Sequence, residues 1–149
     1  GWIVGPEPVI ERLADIKMQT DYGSSSLSQY AVDKWLSSGM YDAFLKEIRE
    51  ALRFRRDFTI RILENYFSNI ATWSVPKGGF YIWLKIQSGV SSSKLFDLAL
   101  REGILLNPGS VYEKHDSEHL RLSYSYASME QLEKGLITLL QLIRKTCSN

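Results

Sequence analysis

The sequence predicts an α+β fold, with helices packed on a small sheet of about three or four strands. Three observations carry that expectation. Residues from Met40 to about Phe67 keep one long helical period of apolar side chains. Phe80–Ile86 follows Gly78-Gly79 and is rich in aromatic and β-branched residues, which favour a pleated, half-buried strand. His119–Ala127 alternates strictly and runs into Ser128-Met129-Glu130-Gln131, a capping box that opens a final helix.

Each element has a local reason. Gly1-Trp2-Ile3-Val4-Gly5-Pro6 reads as a buried strand ending in a turn, and Pro6-Glu7-Pro8 suits the first turn of a helix carrying Val9, Ile10, Leu13 and Ile16. Thr20–Ser26 breaks that pattern with turn-forming residues. A second helix has Leu27, Ala31 and Trp35 on one face and stops around Gly39. The long third helix follows, with Phe44, Ile48, Leu52, Phe58, Ile62 and Tyr66 as its expected core stripe. Ala71–Val75 is a short strand closed by Pro76. Ser91-Ser92-Ser93 offers N-cap hydroxyls for a helix through Leu95, Leu98 and Ala99, ending at Gly103. Ile104-Leu105-Leu106 reads as a short buried strand before the turn Asn107-Pro108-Gly109-Ser110. Leu132, Leu136, Leu139 and Ile143 form the core stripe of the last helix.

The composition limits function. The 149 residues suit one compact domain, or one domain with an appendage, and are 44% hydrophobic and 23% charged. A net charge of +1 provides no global field toward nucleic acid or membrane. No apolar run approaches the ~20 residues that span a bilayer. Cys147 is the only cysteine, so no internal disulfide forms, which fits a reducing compartment. With no initiating methionine, the chain is expected to be a fragment that begins in mid-fold.

Few residues carry chemistry by spacing alone. His115 and His119, four apart in a polar loop, have no third ligand nearby in sequence, so a metal site is not inferred. Gly-x-Ser-x-Gly is absent, and no Ser-His-acid pattern replaces it. Arg49, Arg53 and Arg56 share a face of the long helix, but Glu47, Glu50, Asp57 and Glu64 are interleaved and predict local ion pairs on a solvated face. On the last strand Leu120, Leu122, Tyr124 and Tyr126 share one face, opposite Arg121, Ser123 and Ser125. A guanidinium in a row of hydroxyls can hold a carboxylate or phosphate with two parallel hydrogen bonds. By spacing alone, a solvated arginine on a half-exposed strand is the better reading.

Taken in order, Gly-Trp-Ile-Val-Gly-Pro, Pro76-Lys77-Gly78-Gly79-Phe80-Tyr81-Ile82-Trp83, Asn107-Pro108-Gly109-Ser110-Val111-Tyr112 and Leu120-Arg121-Leu122-Ser123-Tyr124 resemble the C-terminal part of class I/II aminotransferases. Those are fold-type I enzymes dependent on pyridoxal 5'-phosphate. Lys17–Gln29 and Leu122–Ser128 most resemble the MocR branch of GntR-type regulators, in which a winged helix-turn-helix is fused to an aminotransferase-like, ligand-sensing domain.

The resemblance implies the small domain of that fold over residues 40–149, joined through the long connecting helix to a remnant of the large cofactor-binding domain over residues 1–39. It maps the arginine that binds a ligand α-carboxylate onto Arg121, with Tyr22 and Ser24 as further ligand contacts in a loop that reaches toward the partner of a dimer. The Schiff-base lysine, a cofactor-phosphate arginine and the aspartate facing the pyridine nitrogen would precede Gly1. The chain alone is therefore expected to be inactive and to hold the cofactor only as part of a longer protein. The implied whole is a cytoplasmic homodimer that senses an amino-acid-like molecule, touches DNA only through an N-terminal domain and does not associate with membranes. A genuine amino-acid aminotransferase and a non-catalytic dimerisation module are the alternatives.

Overall fold

The computed structural model describes residues 2–87 and 89–147. The elements run α1 (Glu7–Asp21), α2 (Ser26–Ser37), α3 (Met40–Tyr66), β1 (Ala71–Trp73), β2 (Tyr81–Ile86), α4 (Ser92–Arg101), a 3-10 turn (Gly109–Val111), β3 (His119–Ser123) and α5 (Met129–Cys147). The fold is α+β, with one antiparallel three-stranded sheet in the order β1-β2-β3. Two compact units divide the chain at residues 47 and 48, inside α3.

In the first unit, α1 starts with a proline in its first turn and ends on Tyr22 in the left-handed conformation, φ 57°. The Ser25 hydroxyl accepts from the Ser28 N–H and caps α2. Trp35 packs edge-on against Tyr41 and tilted against Phe44, with ring centroids 5.1 and 5.6 Å apart. Neither α1 nor α2 buries a residue. The predicted N-terminal strand is absent among the described residues: Trp2, Ile3 and Val4 are exposed and unpaired. An extended segment becomes a strand only when a neighbour accepts and donates its ladder hydrogen bonds.

The second unit holds the core. Register pairs Tyr81 with Ser123, Trp83 with Arg121 and Lys85 with His119, and on the opposite face Ile82 with Leu122 and Leu84 with Leu120. Alternation therefore gives the sheet one apolar and one polar-aromatic face. The apolar face, Ile82, Leu84, Ile86, Leu120 and Leu122, packs with Leu63 of α3, Phe67 just after it, Leu95 and Ala99 of α4, and Leu136, Leu139 and Ile143 of α5. Each fully buried side chain of this type contributes about 1.5–3 kcal/mol. The capping box forms as predicted: the Gln131 N–H donates to the Ser128 hydroxyl and the Ser128 N–H to Gln131 Oε1.

Three expectations are corrected. The buried residues of α3 are Thr59, Ile60, Ile62 and Leu63, with Phe67 just beyond its end, so of the predicted Phe58, Ile62 and Tyr66 only Ile62 is fully buried. Phe44 and Tyr66 are exposed. Thr59 tolerates burial because its hydroxyl donates to the Arg55 carbonyl at 2.8 Å. Residues 104–106 form no strand: Leu105 is exposed, and backbone pairing with β3 comes just after them, through the Arg121 N–H to the Asn107 carbonyl and the Pro108–Leu120 bridge. Pro108 has no N–H to extend a ladder. The last strand stops at Ser123, so Tyr126 is 96% exposed instead of sharing the face of Tyr124.

Candidate functional site

The polar-aromatic face of the sheet surrounds Arg121. Its guanidinium carbon lies 4.0 Å from the Tyr81 ring centroid and 4.9 Å from that of Tyr112, both within cation–π range. Trp83, opposite Arg121 in the ladder, meets Tyr112 edge-on at 5.5 Å and stacks on His119 at 5.4 Å with an interplanar angle of 18°. The Tyr112 hydroxyl donates to Asn107 Oδ1 at 3.2 Å, and the Asn107 carbonyl accepts from the Arg121 N–H at 2.8 Å. Arg121 Nε is buried without a hydrogen-bond partner. Leaving a charged donor unpaired out of water is costly, so this atom is where an incoming anion gains most. Along the β3 edge, Arg121 also lines a groove of about 510 Å³ formed with Ile104, Leu106, Gln131 and Gly135.

One end of the aromatic row is anchored by charge. Asp116 Oδ1 accepts from His119 Nδ1 at 2.9 Å and from the Glu118 and His119 N–H groups at 3.0 Å. Desolvation acts to raise the Asp116 pKa, but the His119 side chain and these backbone donors lower it by more, so the carboxyl titrates below its ordinary value. Gly109 makes room for it, because a Cβ there would overlap the Asp116 carboxylate. Alternation puts Tyr81 and Trp83 on one face of β2, but only the register brings that face beside Arg121.

Tyr22 and Ser24 share the α1–α2 turn of the first unit. Tyr22 is 87% exposed, and the Ser24 carbonyl accepts from Gln29 Nε2. Asp21 beside them pairs with Lys17 at 2.6 Å and accepts from the Gly23 N–H, and these two hydrogen bonds lower its pKa. His115 lies exposed in the loop before β3, and among the described residues no cluster of His, Cys, Asp or Glu is placed to hold a metal.

Two features of α3 depart from the sequence reading. The i,i+3 and i,i+4 ion pairs expected on its arginine face do not form: Arg56 pairs with its neighbour Asp57 at 2.7 Å, while among the described residues Arg49 and Arg53 have no acidic partner. Arg55, near the arginine stripe in sequence and expected on a solvated face with it, instead donates from Nε to the Tyr124 carbonyl at 2.6 Å and from Nη2 to the Ala127 carbonyl. Tyr124 in turn donates its hydroxyl to the Gly79 carbonyl at 2.6 Å, and burial pushes its phenol pKa up against the opposing charge of Arg56. Gly79 holds φ +83°, a conformation that favours glycine, which turns the chain into β2.

A small antiparallel sheet with helices on its apolar face is the α+β arrangement of an aminotransferase-type small domain. Residues 1–139 match the family described as aminotransferase class I and II, and the chain belongs to that family. It is 50% identical over 148 residues to the HTH-type transcriptional regulator YdfD of Bacillus subtilis, covering 99% of this chain and 31% of that protein. It is 41% identical over 146 residues to the HTH-type transcriptional regulator NorG of Staphylococcus aureus, covering 97% and 33%. The chain thus spans about a third of the length of the curated relatives it matches. Among solved structures it resembles an aromatic aminotransferase from Pyrococcus horikoshii, with TM-score 0.85 and 26% identity over 96% of this chain and 38% of the other. The α-aminoadipate aminotransferase LysN of Thermus thermophilus, solved with N-(5'-phosphopyridoxyl)-L-leucine, shares the fold at TM-score 0.87 and 24% identity over 97% and 38%. No helix among the described residues is long and apolar enough to cross a membrane.

Proposed function

We propose that this chain forms the carboxylate-binding side of an effector-sensing, aminotransferase-like domain in an HTH-type transcriptional regulator. The observation that carries the reading is the buried, unpartnered Nε of Arg121 beside the Tyr81 and Tyr112 rings. A planar carboxylate meets the edge of a guanidinium with two parallel hydrogen bonds, and the neighbouring rings favour an organic ligand over a hydrated inorganic ion. An amino acid or close analogue fits that chemistry. Tyr22 and Ser24 are the further contacts we assign to it, on residues 1–39 of a larger cofactor-binding domain, with residues 40–149 as the small domain.

The regulator reading is supported by relatives of that kind at 41–50% identity across nearly the whole chain. In the longer protein we place pyridoxal 5'-phosphate, a homodimer in the cytoplasm, and DNA contact through a separate N-terminal domain. The donor set around Arg121 fits the carboxylate of an amino compound rather than the cofactor's ring and phosphate, so no chemical step is assigned to this chain.

Calorimetry of the full-length gene product with a panel of amino acids tests the assignment. Arg121→Gln is expected to weaken binding at least about tenfold, the equivalent of one charged hydrogen bond. Equal affinity of wild type and variant would remove Arg121 from the site. Turnover of an amino acid and a keto acid by the full-length product, without sequence-specific DNA binding, would favour the aminotransferase instead.

A further inference from the structure

A second cleft, of about 280 Å³, lies between α3 and the β1–β2 connection. Arg49, Arg53 and Arg56 line it from the helix, and Lys77, Gly78 and Gly79 from the connection. Spacings of four and three residues put the arginines on one helical face, and no acidic residue lines the cleft. The interleaved carboxylates that should neutralise this face do not: Arg56 alone is paired, with Asp57, and its Nη1 donates to the Pro76 carbonyl at 3.2 Å, tying helix to loop. Among the described residues, Arg49, Arg53 and Lys77 have no ion-pair or hydrogen-bond partner. A Cβ at Gly78 or Gly79 would meet nothing, so the backbone there is open to a small ligand. Tyr124, which also lines the cleft, fixes that loop by donating its hydroxyl to the Gly79 carbonyl.

We propose that this cleft binds the phosphate group of a small phosphorylated molecule. Like charges three and four residues apart on a helix repel one another, and a dianion between them and Lys77 turns that repulsion into attraction. A phosphate presents acceptor oxygens in several directions and can meet donors from two walls at once, whereas a carboxylate presents two in one plane. Donors from a guanidinium face on one wall and an ammonium on the other match the former. The cleft shares no lining residue with the Arg121 groove, so the two ligands would occupy separate sites.

The test is calorimetric titration of inorganic phosphate, and separately of glycerol 3-phosphate, into the 149-residue chain at low ionic strength, where surface charge is least screened. Arg53→Gln and Lys77→Gln, at exposed positions that leave the core untouched, are each expected to weaken binding at least about tenfold. Arg61→Gln, which removes an equal charge from α3 outside the cleft, is expected to bind like wild type. Tighter binding of glycerol 3-phosphate than of phosphate assigns the ligand as a phosphomonoester, and the reverse assigns free phosphate. The proposal is overturned if wild type gives no saturable binding, if acetate binds as well as phosphate, or if Arg61→Gln weakens binding as much as Arg53→Gln. Binding of a short DNA duplex that depends on Arg53, with no phosphate binding, would overturn it in favour of nucleic acid.

Discussion

Arg55 Nε holds the carbonyl of Tyr124 at 2.6 Å, and its Nη2 holds that of Ala127, so one side chain of α3 takes two backbone acceptors of the segment that leaves β3. Both acceptors lie just past Ser123, where the strand ends. The Tyr124 N–H still donates to the Phe80 carbonyl at 3.1 Å, and beyond it the guanidinium, not a strand partner, satisfies the Tyr124 and Ala127 carbonyls. The bend positions Ser128 to cap α5.

Arg55→Ala is expected to destabilise the chain by about 2–4 kcal/mol, because it strips two partly buried carbonyls of a charged donor. Arg55→Lys should recover less than half, since an ammonium cannot reach both acceptors in the fork geometry. Urea denaturation curves of the three proteins measure this. An unchanged midpoint for the alanine variant would show that water replaces both bonds.

Acid stability should depend on Asp116. Its folded pKa lies below the ordinary carboxylate value, so its contribution is fully present above that value and is lost as pH falls through the folded one. Asp116→Asn should therefore cost about 1–2 kcal/mol at neutral pH, with the gap from wild type closing below about pH 4. Gly109→Ala should reproduce part of that cost, since its methyl displaces the same carboxylate. Denaturant midpoints between neutral and acid pH give the comparison, and a gap that stays constant down to low pH would rule out the ionised Asp116 as its source.

The aromatic row should hold Arg121 in place as well as pack against it. Tyr112→Phe keeps the ring over the guanidinium and loses only the hydrogen bond to Asn107, so it should be nearly silent. Tyr112→Ala removes the ring and the edge contact with Trp83, at about 0.5–2 kcal/mol. In the full-length protein the same pair of variants, read by ligand affinity, separates the ring's role from the hydroxyl's.

Much of this was legible in order along the chain. The bounds of α3, the apolar face of α5 and the Ser128–Gln131 cap depend on contacts within a few residues, and local chemistry states them. Arg121 was marked by its alternation in β3. Its surroundings were not: Tyr81, Tyr112 and the Asp116–His119 pair reach it only through strand register and a loop that folds back over the sheet.

The same division explains the corrections. A strand is a property of two segments, so residues 104–106 and the N-terminal run read as strands by composition yet lack a ladder among the described residues. Spacing makes an ion pair possible without requiring it, and among the described residues Arg49 and Arg53 have no acidic partner despite the interleaved acids. By itself the sequence determined the helices, the sheet's two faces and the family, because period, caps and motifs are local or ordered along the chain. The tertiary structure decided where β3 stops, which rings enclose Arg121 and that a second cationic cleft stays open, because each depends on groups brought together from distant parts of the chain.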